Sequence, residues 1–123
     1  MHELSIAEAL VGEVAAAAER ERAVAVSRVV VLLGALSGAD PEALRAAFTV
    51  AAEGSRAAEA ELVIEEVAAR VRCRVCGHVW QAEDYASVCA ACGGADVDFI
   101  AGRELHIKTL EIAVEEERQV ERV

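Results

Sequence analysis

Aromatic residues make up only 3% of this 123-residue chain. Large aromatic anchors are therefore scarce. The hydrophobic content of 55% suffices for a core, but much of it is alanine. No run of about 18 apolar residues occurs, which argues against a membrane-spanning helix. The start, Met1-His2-Glu3-Leu4-Ser5, lacks the basic opening and apolar stretch of a secretion signal. Both absences point to the cytoplasm, where thiols stay reduced and free to take metal. There is no G-x4-G-K-[ST] phosphate loop, because Gly34 and Gly38 lack the spacing and the lysine. No G-x-S-x-G element or other catalytic motif occurs, so the expectation is a protein that is not an enzyme. Any nucleotide-driven step then belongs to a partner. Basic residues are also few: 12 against 22 acidic ones, a formal charge of -10. That field and the lack of a basic stripe argue against nucleic acid and favour cations or basic protein surfaces.

What is present is four cysteines in two tight pairs. Cys73-Arg74-Val75-Cys76 is followed by Cys89-Ala90-Ala91-Cys92. Two residues between cysteines let one turn aim both sulfurs at a single point. Two such turns supply the full tetrahedral shell of a structural zinc site. Each pair is followed by glycine, at Gly77 and Gly93, suited to the positive-φ position of a turn that directs N–H groups toward sulfur. Two disulfides would need an oxidising compartment that nothing supports. A redox dithiol would leave the second pair unexplained. Iron in a rubredoxin-like site is the rival that spacing does not exclude. With four protein ligands no coordination position stays open, so the ion would be structural rather than catalytic. The segment is too poor in large apolar groups to fold unaided. Metal ligation must supply the missing stability, about 10–16 kcal/mol in comparable zinc peptides.

The rest of the chain reads as α+β. Ser5 and Glu8 have capping-box spacing, which predicts a helix from Ser5 to about Glu21. Leu4, Ala7, Leu10, Val11, Val14 and Ala18 recur on one of its sides. Residues 23–33 are β-branched and almost wholly apolar, as a covered central strand requires. Asp40-Pro41 opens a second helix, with Leu44, Phe48 and Ala51 on one face and Gly54 as terminator. Strands are predicted over 60–72 and 104–115, the latter with a shift of phase near Thr109. The cysteine segment lies between these two strands, in a loop of the domain. The tail 115–123 reads as a solvated end.

His78 beside the first knuckle reads as an exposed loop residue, and His106 as a sheet residue. His2 differs by position. A free amino terminus, the His2 amide and its imidazole can chelate one ion in fused rings. The Glu3 amide could complete four nitrogens in a plane, a set that suits nickel(II) or copper(II).

The start Met1-His-Glu-Leu-Ser-Ile-Ala-Glu-Ala-Leu-Val11 resembles that of the HypA/HybF family of nickel-insertion accessory proteins. Val31-Leu-Leu-Gly-Ala-Leu-Ser37, Asp40-Pro-Glu-Ala-Leu44 with Phe48, both knuckles, and Gly102-Arg-Glu-Leu-His-Ile-Lys108 with Glu111 agree in order. The resemblance implies two helices on a three-stranded sheet with an inserted zinc-ribbon-like four-cysteine domain. It divides the chain into a nickel-binding domain, 1–72 with 97–123, and a zinc-binding insert, 73–96. Met1, His2 and Glu3 occupy the family's nickel positions; Cys73, Cys76, Cys89 and Cys92 occupy its zinc positions. It implies a structural Zn(II), Ni(II) as transferred cargo, and delivery to [NiFe]-hydrogenase, with urease served in some relatives. The partners it implies are the HypB GTPase, the hydrogenase large subunit precursor and, for urease, its accessory proteins. A monomer or homodimer is expected. The chain departs from the family with Ala90 in place of the usual proline. Val67, Ala68 and Ala69 stand where proline and glycine are common. A zinc-ribbon adaptor and a rubredoxin-like electron carrier are the competing readings.

Overall fold

The computed structural model describes residues 2–82 and 88–114. Helix α1 spans Glu3–Arg20 with His2 at its cap position, three residues earlier than a cap at Ser5 implied. The Ser5 hydroxyl donates to the His2 carbonyl at 3.0 Å. The same carbonyl takes the first ladder bond, from the Ile6 amide at 3.1 Å. Ser5 is thus committed as a donor inside the first turn, and the expected Ser5–Glu8 cap does not set the boundary. Ala7, Leu10, Val14 and Ala18 form the buried face, as their spacing predicts. Leu4, expected with them, is 48% exposed, and Glu3 is buried instead.

Strand β1 (Ala23–Gly34) buries Val29, Val30 and Val31 in succession, so its centre is covered on both sides. Helix α2 (Pro41–Ala51) starts as predicted. Pro41 opens it, and Asp40 Oδ2 accepts from the Ala43 amide at 2.8 Å. Leu44 and Phe48 are its buried residues. The predicted strand 60–72 is two strands. β2 (Glu61–Val67) and β3 (Ala69–Cys73) are separated at Ala68 and join different sheets. β6 (Leu105–Val114) is continuous, and its exposure pattern shifts phase at Lys108 and Thr109 as expected.

Two compact units result. The first takes in the chain up to Val31, Ala39–Ile64, and the chain from His106 on. It holds α1 packed on α2 and most of a three-stranded sheet in the order β2-β1-β6. Arg28 in its central strand lies 3.7 Å from Glu61 and 3.5 Å from Glu111, one carboxylate on each neighbouring strand. The second unit takes in Leu32–Gly38 and Glu65–Leu105. It is wider than the expected insert 73–96. The reason is a second antiparallel sheet, β4-β3-β5, in which β4 is Val79–Ala82 and β5 is Val97–Ala101. Val71 stands opposite Trp80 on one side and Phe99 on the other. Ala69, Val71 and Ala82 form the buried centre, with Leu36, Trp80, Val97 and Phe99 half-buried around it.

Backbones meet closely within this second unit. The amides of Gly34 and Leu36 donate to the carbonyls of Glu104 (2.6 Å) and Gly102 (2.7 Å). A Cβ on Gly34 would stand 2.1 Å from the Gly102 oxygen. Glycine at 34 is therefore a requirement of contact between main chains.

Candidate metal centres

The two knuckles repeat one hydrogen-bond pattern. The Gly77 amide donates to the Cys73 carbonyl at 3.0 Å, and the Gly93 amide to the Cys89 carbonyl at 2.7 Å. The Cys73 amide reaches the His78 carbonyl at 2.8 Å, and the Cys89 amide the Gly94 carbonyl at 2.9 Å. Gly77 and Gly93 take φ of +81° and +77°, as their places in the sequence predict.

These turns bring the four sulfurs together. All lie within 4.8 Å of one another. Cys73 Sγ is 3.5 Å from Cys92 Sγ, and Cys76 Sγ is 3.6 Å from Cys89 Sγ. A disulfide needs about 2.05 Å, so these are free thiols. A tetrahedral ion with bonds of about 2.3 Å needs sulfur separations of about 3.8 Å, which the cluster nearly offers already. The donor set fits a four-thiolate ion. Cys73 and Cys89 are buried; Cys76 and Cys92 are exposed.

The sulfurs do not ionise alike. The Cys76 amide donates to Cys73 sulfur, outweighs burial, and brings that thiol down to about 7. The His78 amide favours the Cys76 thiolate, but the Cys89 thiol beside it and burial prevail, and its pKa is raised. The Gly94 amide acts likewise on Cys92, yet the crowding by Cys73 and Cys89 pushes it to about 12. Without a cation the cluster keeps protons that an ion must displace. Zinc uptake at pH 7 is therefore expected to release about two protons or more per ion. Calorimetry in buffers of different ionisation enthalpy measures this; a release near zero would contradict the protonated cluster.

His78 is outside the sulfur cluster and stacks on Trp80, with centroids 5.5 Å apart and planes at 17°. His106 lies exposed in β6, as a sheet residue. Of the terminal residues, Met1 lies outside the described set, as do Tyr85 and the tail 115–123. His2 directly precedes α1, and Glu3 is its first residue. The Glu3 carboxylate Oε2 accepts from the Asp40 amide at 3.0 Å, at the start of α2. Sequence reasoning did not anticipate this tie. The one clue was a glutamate on the helical stripe that buries Ala7, Leu10 and Val14. It also missed Arg74, inside the first knuckle, whose side chain pairs with Asp98 and Asp96. Its hydrogen bond to Asp98 holds that carboxyl below its ordinary range.

The family whose model matches residues 1–112 is HypA, described as hydrogenase/urease nickel incorporation, metallochaperone. The hydrogenase maturation factor HypA of Chlorobium luteolum is 42% identical over 117 residues, covering 95% of this chain and all of that protein. That of Aquifex aeolicus is 35% identical over 115 residues, covering 94% of this chain and all of its own. Among solved structures, the solution structure of the nickel metallochaperone HypA from Helicobacter pylori is similar, with a TM-score of 0.70 and 29% identity. It covers 94% of this chain and all of its own. A second, a solution structure of HypA protein, gives 0.71 and 31% identity over 94% of this chain and 98% of its own. Matched from Met1 to beyond β5 and both knuckles, and along nearly its whole length by these relatives, the chain belongs to the HypA family.

Proposed function

We propose that this protein is a nickel metallochaperone. It binds Ni(II) at its amino end and delivers it during maturation of [NiFe]-hydrogenase, and it is not an enzyme. The carrying observation is the membership in a nickel-incorporation family together with the four-sulfur cluster. Four thiolates saturate a tetrahedral ion and leave it nothing to exchange. Cys73, Cys76, Cys89 and Cys92 thus suit a resident, structural Zn(II), and the cargo needs another site. Met1, His2 and Glu3 supply one. Amine, two amides and imidazole form a planar nitrogen set preferred by Ni(II) over Zn(II). The position of Glu3 supports this reading, because the bond from the Asp40 amide to its carboxylate holds the first residue of α1 in place next to His2.

The proposed partners are a HypB-type GTPase, which would supply the nucleotide step this chain has no loop for, and the hydrogenase large subunit precursor. Urease accessory proteins are the corresponding partners where urease is the client. The proposed compartment is the cytoplasm, where the thiols stay reduced. No helix among the described residues is long and apolar enough to cross a membrane. An adaptor for transcription machinery or a rubredoxin-like carrier is disfavoured by the family match.

Nickel titration of three proteins tests the terminal site: the native chain, His2→Ala, and a chain with one extra residue before Met1. The native protein should bind one nickel, and each altered terminus should weaken binding by about 2 kcal/mol or more, through loss of a ring nitrogen or of chelate geometry. Zinc content should be the same in all three. Equal nickel affinity across the set would remove the chelate.

A further inference from the structure

The knuckles are alike in backbone but not in what fills them. Arg74 lies between the cysteines of the first, whereas Ala90 and Ala91 fill the second. Arg74 Nε donates to Asp98 Oδ1 at 2.8 Å, and a terminal nitrogen donates to Asp96 Oδ1 at 3.3 Å. The other terminal nitrogen also reaches Asp98. The Arg74 amide donates to the Asp96 carbonyl at 3.0 Å. Asp96 and Asp98 lie just past the second knuckle, and Asp98 is already in register with Arg72 across β3 and β5. One residue of the first knuckle therefore grips the chain leaving the second through four hydrogen bonds.

We propose that Arg74 is a positioning residue that fixes the angle between the two sulfur pairs and so reserves the cysteine cluster for a tetrahedral ion, excluding nickel. The proposal rests on the reading of the cluster as the zinc site and of nickel as cargo. Each knuckle contributes one pair, Cys73 with Cys76 and Cys89 with Cys92. Around a tetrahedral ion the two pairs lie crossed; around a square-planar ion they lie in one plane. Nickel(II) accepts the planar arrangement and zinc(II) has no such preference. To pass from one to the other, one knuckle must twist against the other. The sulfur separations of 3.5 and 3.6 Å between knuckles lie nearer the about 3.8 Å of a tetrahedral set than the about 3.3 Å between neighbours in a planar set with the same bond length. Arg74 resists the twist because its guanidinium is planar and rigid, and its bonds reach two carboxylates, Asp98 in β5 and Asp96 just before it. A single exposed ion pair would count for little, but here backbone and side chain of one residue act together. For a protein that carries nickel, a four-thiolate cluster left free to flatten would trap the cargo.

The test uses the zinc-loaded full chain and the variants Arg74→Ala, Arg74→Lys and Asp98→Asn. Zinc release to a chromogenic chelator is timed. Excess nickel is then added, and sulfur-to-nickel charge-transfer absorption is recorded. The terminal site has no thiolate, so an intense thiolate-to-nickel band reports only on the cysteines. The native protein should show no band. Arg74→Ala should release zinc about tenfold faster or more and develop the band. Asp98→Asn should follow it, and Arg74→Lys should fall between, since an ammonium cannot hold both carboxylates in a fork. Asp98 lies on the strand outside both knuckles, so its variant decides the matter even where Arg74→Ala fails to fold. Release within about twofold of native in Asp98→Asn, with no nickel–sulfur band, overturns the proposal. A native protein that binds no zinc overturns the zinc reading beneath it.

Discussion

Replacing Cys89 with serine should unfold the second unit and leave the first one standing. The buried centre of the second unit is Ala69, Val71 and Ala82, three small side chains, with four others half-covered. Burial of that size falls well short of the ordering entropy of the unit's 48 residues. The ion supplies the difference, about 10–16 kcal/mol in comparable zinc peptides. Cys89 is buried at 2% exposure, so its serine would also be left in an apolar setting without its ion. The first unit has independent support: Leu10, Val14, Leu44, Phe48 and Val29 are all buried within it. Two optical signals separate the units. Both helices belong to the first, so far-UV dichroism near 222 nm should change little. Trp80, the one tryptophan, belongs to the second, so its emission should move to the red. Chelation of the ion from native protein should give the same pair of results. A variant that lost its helical signal in step with its tryptophan signal would show instead that the units stand or fall together.

Gly34→Ala should be the most damaging change that adds a single methyl group. The new carbon would stand 2.1 Å from the Gly102 oxygen and 2.6 Å from the Arg103 nitrogen, both main chain. Neither neighbour can swing away as a side chain would. Separating them breaks the bonds from Gly34 to Glu104 and from Leu36 to Gly102. A loss of about 3 kcal/mol or more is expected, at the upper end for overpacking. Gly12→Ala is the matching control. Nothing lies within 4 Å of a Cβ there, and the position is inside α1. It should gain about 0.5–1 kcal/mol from helix propensity alone. Urea unfolding of the two variants, followed at 222 nm and by Trp80 emission, should therefore move midpoints in opposite directions. Equal midpoints would mean that the close approach at Gly34 yields easily.

The metal cluster was legible because its information is local. Two residues between sulfurs and a glycine after each pair specify a turn, and the turn specifies where sulfur points. Asp40-Pro41 was legible for the same reason. The break between β2 and β3 was not. Val67, Ala68 and Ala69 carry none of the proline or glycine that would mark it, and Leu62, Ile64, Val71 and the glutamates between read as one strand. What ends β2 is tertiary: the Ala35 amide donates to the Val67 carbonyl at 2.8 Å, and Ala69 pairs with Ala82 in another sheet. The first turn of α1 misled differently. Ser5 has the right chemistry for a cap, but the buried Glu3 carboxylate is held by Asp40, 37 residues away, and draws the helix start with it. Local grammar cannot show a partner at that distance.

Strand order also sets a timetable for the nascent chain. β1 is central in its sheet, yet β6, one of its two neighbours, begins only at Leu105. On a ribosome adding about 5–20 residues per second, β1 waits several seconds with that flank unpaired. All four cysteines emerge during this interval. The knuckles can close around their ion while the first sheet is still open, and β6 arrives last, as a strand already anchored by a finished neighbour.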